Sequence, residues 1–193
     1  FPCGADPFRV VLAPAGHVFG ANYRVKTVNE LGPDGAKIGT YPAPSRAFGL
    51  ARDAAGAIWV TSNAGHGVVK LGAAPGQPGT AFPTDRAPSM ITFDAKGSAW
   101  ITSTGSDRLT KLSATGEPLG SFETGGDEPW GLAIAPTGDL WVTNTSGATK
   151  VDQNEAMRPQ SVARFDTDGK RTGLWFLPDS PQGVAFDKQG RPW

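Results

Sequence analysis

The chain repeats itself about every 41 residues, and that period constrains its fold more than any other feature. The segments 49–63 (GLARDAAGAIWVTSN), 89–104 (SMITFDAKGSAWITST), 131–145 (GLAIAPTGDLWVTNT) and 183–193 (GVAFDKQGRPW) align. Trp59, Trp100 and Trp141 fall 41 residues apart and Trp193 follows 52 later, with Gly56, Gly97, Gly138 and Gly190 keeping step. A diverged copy, 8–22, places Gly16 and Phe19 each 40 residues ahead of Gly56 and Trp59. The second half of the unit recurs as well: 28–41, 67–71, 108–122 and 162–176.

Each unit reads as four short strands. An apolar strand ends in a glycine turn, an alternating strand such as Leu140-Trp141-Val142-Thr143 follows, and a third strand ends at a second glycine turn. A fourth finishes on an aromatic before proline, as at Tyr41-Pro42 and Phe82-Pro83. Four strands per 40-odd residues specify a propeller blade, and one blade cannot bury both faces, so neighbours must stack. The fold class is therefore all-β, a β-propeller of four-stranded blades, in a single domain spanning 1–193. Its repeats run approximately 7–45, 46–85, 86–126 and 127–179, with a further one starting at 180–193. The ends do not complement each other in blade terms, which leads to the expectation of a piece of a ring of about six blades. The recurring Trp is expected to plug the layer between blades, its indole N–H meeting a backbone carbonyl. The first-turn Gly is expected at positive φ.

Composition excludes several classes. Lys plus Arg and Asp plus Glu number 18 each, so no basic field for nucleic acid is present. No run approaches the roughly 20 apolar residues of a membrane-spanning helix. Cys3 is the lone cysteine and has no base beside it, which makes it a bystander. No phosphate-binding glycine loop, zinc-spaced Cys/His set or nucleophile elbow occurs. No cofactor is implied by any motif. The sequence is compatible with an extracytoplasmic or secreted placement and does not fix a compartment.

The repeated P-x-G-[VL]-A-x-D-x-x-G-x-[LI]-W-V-T-[NS], followed by x-V-x-[KR]-[LF], resembles NHL-type repeats. It is also similar to the repeats of virginiamycin B lyase (streptogramin lyase). The copies are Pro129 to Asn144 with Val162 to Phe165, Phe48 to Asn63 with Val68 to Leu71, Pro88 to Thr104 with Leu109 to Leu112, and Pro181 to Trp193. The lyase resemblance implies a catalytic His directly after a blade-opening Pro and acidic residues after W-F-T near Mg²⁺. Here Phe8, Ser89, Trp130 and Gln182 follow the Pro, Phe48 fills the equivalent slot before Gly49, and Ser62, Ser103 and Asn144 follow the W-V-T motif.

Loops joining second to third strands, and one blade to the next, share one face. The candidate ligand-binding residues there are Asn22, Arg46, Asn63, His66, Arg86, Trp130, Asn144 and Gln182, with Tyr23, Arg24 and Ser45 alongside. Arg, Asn and aromatic side chains from several blades make a polar, stacking surface suited to a protein, peptide or glycan. His66 stands between glycines but lacks an assured carboxylate or metal partner, and no catalytic or metal-ligating residue is assigned. His17 falls on a turn of the opposite face, as a surface residue. Asp166-Thr167-Asp168-Gly169 reads as a hairpin turn and not a calcium loop, because no closing Glu follows. The fourth repeat carries about 11 extra residues within 146–160, a polar loop whose Lys150, Asp152, Glu155 and Arg158 could touch a partner. The expected function is a non-catalytic binding propeller. The alternative is a metal-dependent lyase or lactonase-like enzyme, the one case in which Mg²⁺ enters, with its catalytic residues in blades outside this sequence.

Overall fold

The computed structural model describes residues 6–145 and 159–193. Its strands form four antiparallel sheets of four, each a simple meander. The first is β1 (Pro7–Leu12), β2 (Val18–Asn22), β3 (Thr27–Leu31) and β4 (Lys37–Pro42). The second is β5 (Ala47–Arg52), β6 (Ile58–Ser62), β7 (Gly67–Lys70) and β8 (Thr80–Pro83). The third is β9 (Pro88–Phe93), β10 (Ala99–Ser103), β11 (Arg108–Leu112) and β12 (Pro118–Glu123). The fourth is β13 (Pro129–Ile134), β14 (Leu140–Asn144), β15 (Ser161–Phe165) and β16 (Arg171–Phe176). Past them, Ala185 and Trp193 exchange backbone hydrogen bonds, opening a fifth unit as a hairpin. Among the described residues no helix is long and apolar enough to cross a membrane.

The hydrophobic clusters lie between sheets, as the stacking argument requires. Phe19, Val28 and Tyr41 of blade 1 pack with Ile58, Val60 and Leu71 of blade 2. Trp59 and Val68 of blade 2 join Ile91, Ile101 and Leu112 of blade 3, and Trp100 and Leu109 join Leu140, Val142 and Phe165 of blade 4. Trp59 and Trp100 are fully buried, each removing roughly 150–250 Å² of mostly apolar surface from water. At about 25 cal/mol per Å², that is on the order of 4–6 kcal/mol of gross driving force per indole.

The indole N–H does not meet a carbonyl. Trp59 Nε1 donates to Asp53 Oδ2 at 2.9 Å and Trp100 Nε1 to Asp94 Oδ2 at 2.9 Å. The other carboxylate oxygen caps the first turn, accepting from Ala57 N at 2.8 Å and Ser98 N at 2.8 Å. The two oxygens of one carboxylate thus serve the turn and the indole together. The turn glycines take the positive φ expected of them, Gly56 at 91° and Gly97 at 83°. The Asp166 turn is also of this kind, its Oδ1 accepting from Asp168 N at 3.0 Å and Lys170 N at 2.9 Å.

Blade 1 has Ala13 and Phe19 at the positions of that Asp and Trp and substitutes another polar set. His17 is not a free surface residue: its Nδ1 lies 2.7 Å from Glu30 Oε1, and the Tyr41 hydroxyl donates to Glu30 Oε2 at 2.8 Å. Burial, reinforced by the Glu30 carboxylate, pushes the Tyr41 hydroxyl up to about 12.

A second device joins the blades at their inner strands. Thr61 Oγ1 accepts from Gly49 N at 2.8 Å and donates to the Ser89 carbonyl of blade 3 at 2.7 Å. Thr102 repeats this, accepting from Met90 N at 3.0 Å and donating to the Trp130 carbonyl at 3.3 Å. The threonine of W-V-T is thus a cross-link between consecutive blades.

Close approach here demands glycine. A Cβ on Gly49 would sit 2.2 Å from the Ser89 carbonyl oxygen, whereas one on Gly20 would meet nothing within 4 Å. Gly49→Ala is expected to lower stability by about 1–3 kcal/mol through overpacking and Gly20→Ala to leave it nearly unchanged, read from urea unfolding midpoints. Burial raises the Asp53 carboxyl pKa, but the hydrogen bonds from Trp59, Ala57 and Lys70 outweigh it and hold the group below the ordinary carboxylate value. The folded state therefore binds this proton less readily than the unfolded chain. Its contribution is complete above the usual Asp range, about pH 4, and is lost as pH falls through the lower folded value. Asp53→Asn is expected to lower stability at neutral pH and to flatten the acid limb of the stability–pH curve, measured by chemical denaturation between pH 2 and 7.

Candidate functional site

Each blade opens in the same strained way. Asp6, Arg46, Ala87 and Glu128 have φ of 53°, 51°, 53° and 51°, a left-handed conformation that costs a non-glycine residue about 1–2 kcal/mol. Each carbonyl accepts from the backbone just past the second strand: Tyr23 N to Asp6 at 3.0 Å, Asn63 N to Arg46 at 3.1 Å, Thr104 N to Ala87 at 3.0 Å and Thr145 N to Glu128 at 3.2 Å. A register shift follows in every first strand, between Pro7 and Arg9, Ala47 and Leu50, Pro88 and Ile91, and Pro129 and Leu132. Bulges of this sort re-aim a side chain. The residue re-aimed is the one in the post-Pro slot.

Those residues converge. The Phe8 and Phe48 ring centroids lie 4.1 Å apart, and Tyr23 lies 5.9 Å from each. Trp130, from blade 4, meets Phe48 edge-on at 5.3 Å. Phe48 is buried beneath the others, while Phe8 is 45% exposed. The Arg46 guanidinium lies over Tyr23, 5.8 Å from its centroid. Ser89, the one hydroxyl in the series, is buried, and its Oγ lies 3.2 Å from both the carbonyl and the Oγ1 of Thr102. The face therefore presents a platform of rings from blades 1, 2 and 4, edged by a cation.

The sequence-derived candidates divide between exposed and enclosed positions. Arg46, His66, Arg86 and Gln182 are exposed, and Asn63 and Trp130 are half-buried. Arg86 is anchored, its Nε donating to the Gly105 carbonyl at 2.8 Å. His66 lines a separate shallow cleft with Pro44, Ser62 and Phe82. Asn22 and Asn144 are 0% exposed. They close the turn between second and third strands, Asn22 Nδ2 to Thr27 Oγ1 and Asn144 Nδ2 to Ser161 Oγ, each at 3.0 Å. Their amides thus face neighbours and not solvent. Lys150, Asp152, Glu155 and Arg158 lie outside the described residues. Phe8 and Phe48 are not among the ligand-binding residues expected from the sequence; the aromatics that fill three of the five blade-opening slots are the signal for them.

Among solved structures the chain is similar to virginiamycin B lyase from Staphylococcus aureus, with a TM-score of 0.82 and 18% identity over 98% of this chain and 62% of that one. The fold is that of a virginiamycin B lyase-like β-propeller. Hydrazine synthase from Kuenenia stuttgartiensis is similar too, with a TM-score of 0.84 and 17% identity over 96% of this chain and 53% of that one. So is a putative 6-phosphogluconolactonase from Bacteroides uniformis, with a TM-score of 0.74 and 17% identity over 97% and 62%. The chain thus spans less than two thirds of each. No protein-family model matches the sequence, and no curated relative matches it significantly. Three differently named proteins on one scaffold show that this propeller fold does not by itself set the chemistry.

Whether the residues of this propeller suit a metal can be tested on their donor chemistry. Among the described residues no group of three or more His, Cys, Asp or Glu side chains is placed to hold one, and the slots after W-V-T carry Ser62, Ser103 and Asn144.

The strain at Arg46 is separable from its side chain. Arg46→Gly is expected to fold at least as stably as the parent, because glycine takes positive φ without steric cost. Arg46→Val, β-branched at the same φ, is expected to lose more than about 1 kcal/mol. Thermal melts of the two variants check this.

Proposed function

We propose that this propeller is a non-catalytic binding module that takes a protein, peptide or glycan partner on the face where the blade openings meet. The observation that carries the reading is the convergence of Phe8, Tyr23, Phe48 and Trp130 from three blades. Rigid rings supply contact area at low conformational cost and stack on apolar faces of a ligand. Their bulged, hydrogen-bonded supports fix them before a ligand arrives, and preorganisation of that kind reduces the entropy lost on binding. Arg46 and the neighbouring loop cations add orientation and charge.

The alternative, a metal-dependent lyase or lactonase-like activity, draws support from the likeness of fold to virginiamycin B lyase and to the putative lactonase. It requires an acid–base pair at the end of the axis. On the described face the post-Pro slot holds aromatic rings and a hydroxyl engaged by Thr102, so the binding reading is preferred.

Two measurements separate these readings. Glycan and peptide arrays are expected to yield ligands whose binding weakens at least about tenfold in Trp130→Ala, with the variant's melting temperature close to that of the parent. Mg²⁺, Mn²⁺ and Ca²⁺ are expected to leave the melting temperature unmoved. A ligand at 100 times its dissociation constant would add about 2.7 kcal/mol, so a metal-dependent rise would favour the enzyme.

A further inference from the structure

Beside the ring platform lies a cleft of about 450 Å³, lined by Tyr23, Arg24, Lys26, Ser45 and Arg46. Its walls are the turn after β2 in blade 1 and the opening loop of blade 2. Three of its five side chains are cations. Asp6 pairs with Arg24, while Lys26 and Arg46 have no carboxylate partner among the described residues. In a chain whose charges balance, 18 of each sign, this is a local surplus of positive charge. It adjoins the exposed Phe8 ring through Tyr23.

We propose that the cleft binds a carboxylate-bearing sugar, a uronate unit of an acidic glycan. This inference rests on the binding reading above and names the ligand class for the same face. Each part of the site has a counterpart in such a ligand. A guanidinium offers two parallel N–H donors that match a carboxylate, and Arg46 is held over Tyr23 with no carboxylate partner among the described residues. Lys26 adds a second, less directional charge. Tyr23 and Phe8, 5.9 Å apart, offer ring surface on which the C–H face of a pyranose can lie, and Ser45 can accept or donate to a sugar hydroxyl. An acidic peptide shares the carboxylate but is favoured less. Strand addition, one common way of holding an extended peptide, needs main-chain hydrogen bonds to an open sheet edge. Here the walls are turns at 23–26 and 45–46, which present side chains and no free strand edge.

The test is calorimetric titration of the intact chain with tetragalacturonic acid, with galactotetraose as its neutral counterpart and with tetraglutamate. The expected result is binding of tetragalacturonic acid that weakens at least about tenfold in Arg46→Gln, weakens in Tyr23→Ala, and falls as salt rises. Arg46→Lys is expected to retain part of it, and Lys96→Gln, at a turn on the opposite face, all of it. Circular dichroism melts accompany each variant, so a lost fold cannot pass for a lost contact. Equal binding of the neutral sugar overturns the anionic assignment while leaving the glycan-binding reading standing. Tighter, Arg46-dependent binding of tetraglutamate overturns the sugar in favour of an acidic peptide. Absence of tetragalacturonate binding by the folded parent overturns the inference, and the broader binding reading then rests on the array result.

Discussion

A four-stranded meander has two faces, and in this chain both are too apolar to remain in water. That constraint organises the rest. Trp59 and Trp100 can be fully buried because the next blade supplies the other half of each cluster. Packing so close leaves room for little at the inner strands, which is why Gly49 lies against the Ser89 carbonyl. The same closeness lets the Thr61 and Thr102 hydroxyls bridge two blades with one atom each. Stability is then a sum of neighbour contacts, and each blade depends on the one beside it.

The recognition face is a consequence of this arrangement. Blades stacked around an axis bring their opening loops together, and the repeated left-handed residue and bulge turn one side chain per blade toward its counterparts. The scaffold fixes where that slot points and leaves its identity open. Phe8, Phe48 and Trp130 make a ring platform there, whereas Ser89 turns into the hydrogen bonds of Thr102. Strain concentrated at Asp6, Arg46, Ala87 and Glu128 is sustained by the hydrogen bonds to each carbonyl and by the stacked cores beneath.

Polar groups inside the stack show how the repeat tolerates variation. In blades 2 and 3 an Asp joins turn and indole, and Lys70 and Lys111 lie 5.5 and 4.7 Å from the indole centroids. Blade 1 places Glu30 where those lysines stand and answers it with His17 and Tyr41. The charge changes sign and the need for a partner is met either way, because a buried polar atom left alone costs about 1–3 kcal/mol.

Periodicity alone determined much of this protein. The spacing of Trp59, Trp100 and Trp141, the turn glycines and the strand lengths were sufficient for four-stranded blades sharing cores, since those are local consequences of side-chain size, alternation and backbone freedom. The face that carries the candidate site was also legible, because loops of one kind must lie on one side. Which side chains work together was not. Asn22 and Asn144 look like surface amides in the sequence, and only the fold encloses them. Phe48 and Trp130 stand 82 positions apart, and their contact exists because the opening segments of blades 2 and 4 converge in the fold. The carboxylate partners of Trp59 and Trp100 lie six residues upstream, within the repeat, yet their role depended on a turn that points Asp53 and Asp94 back into the core. Local propensity fixes elements; convergence of distant side chains is set by how the elements pack, and no single stretch of sequence contains it.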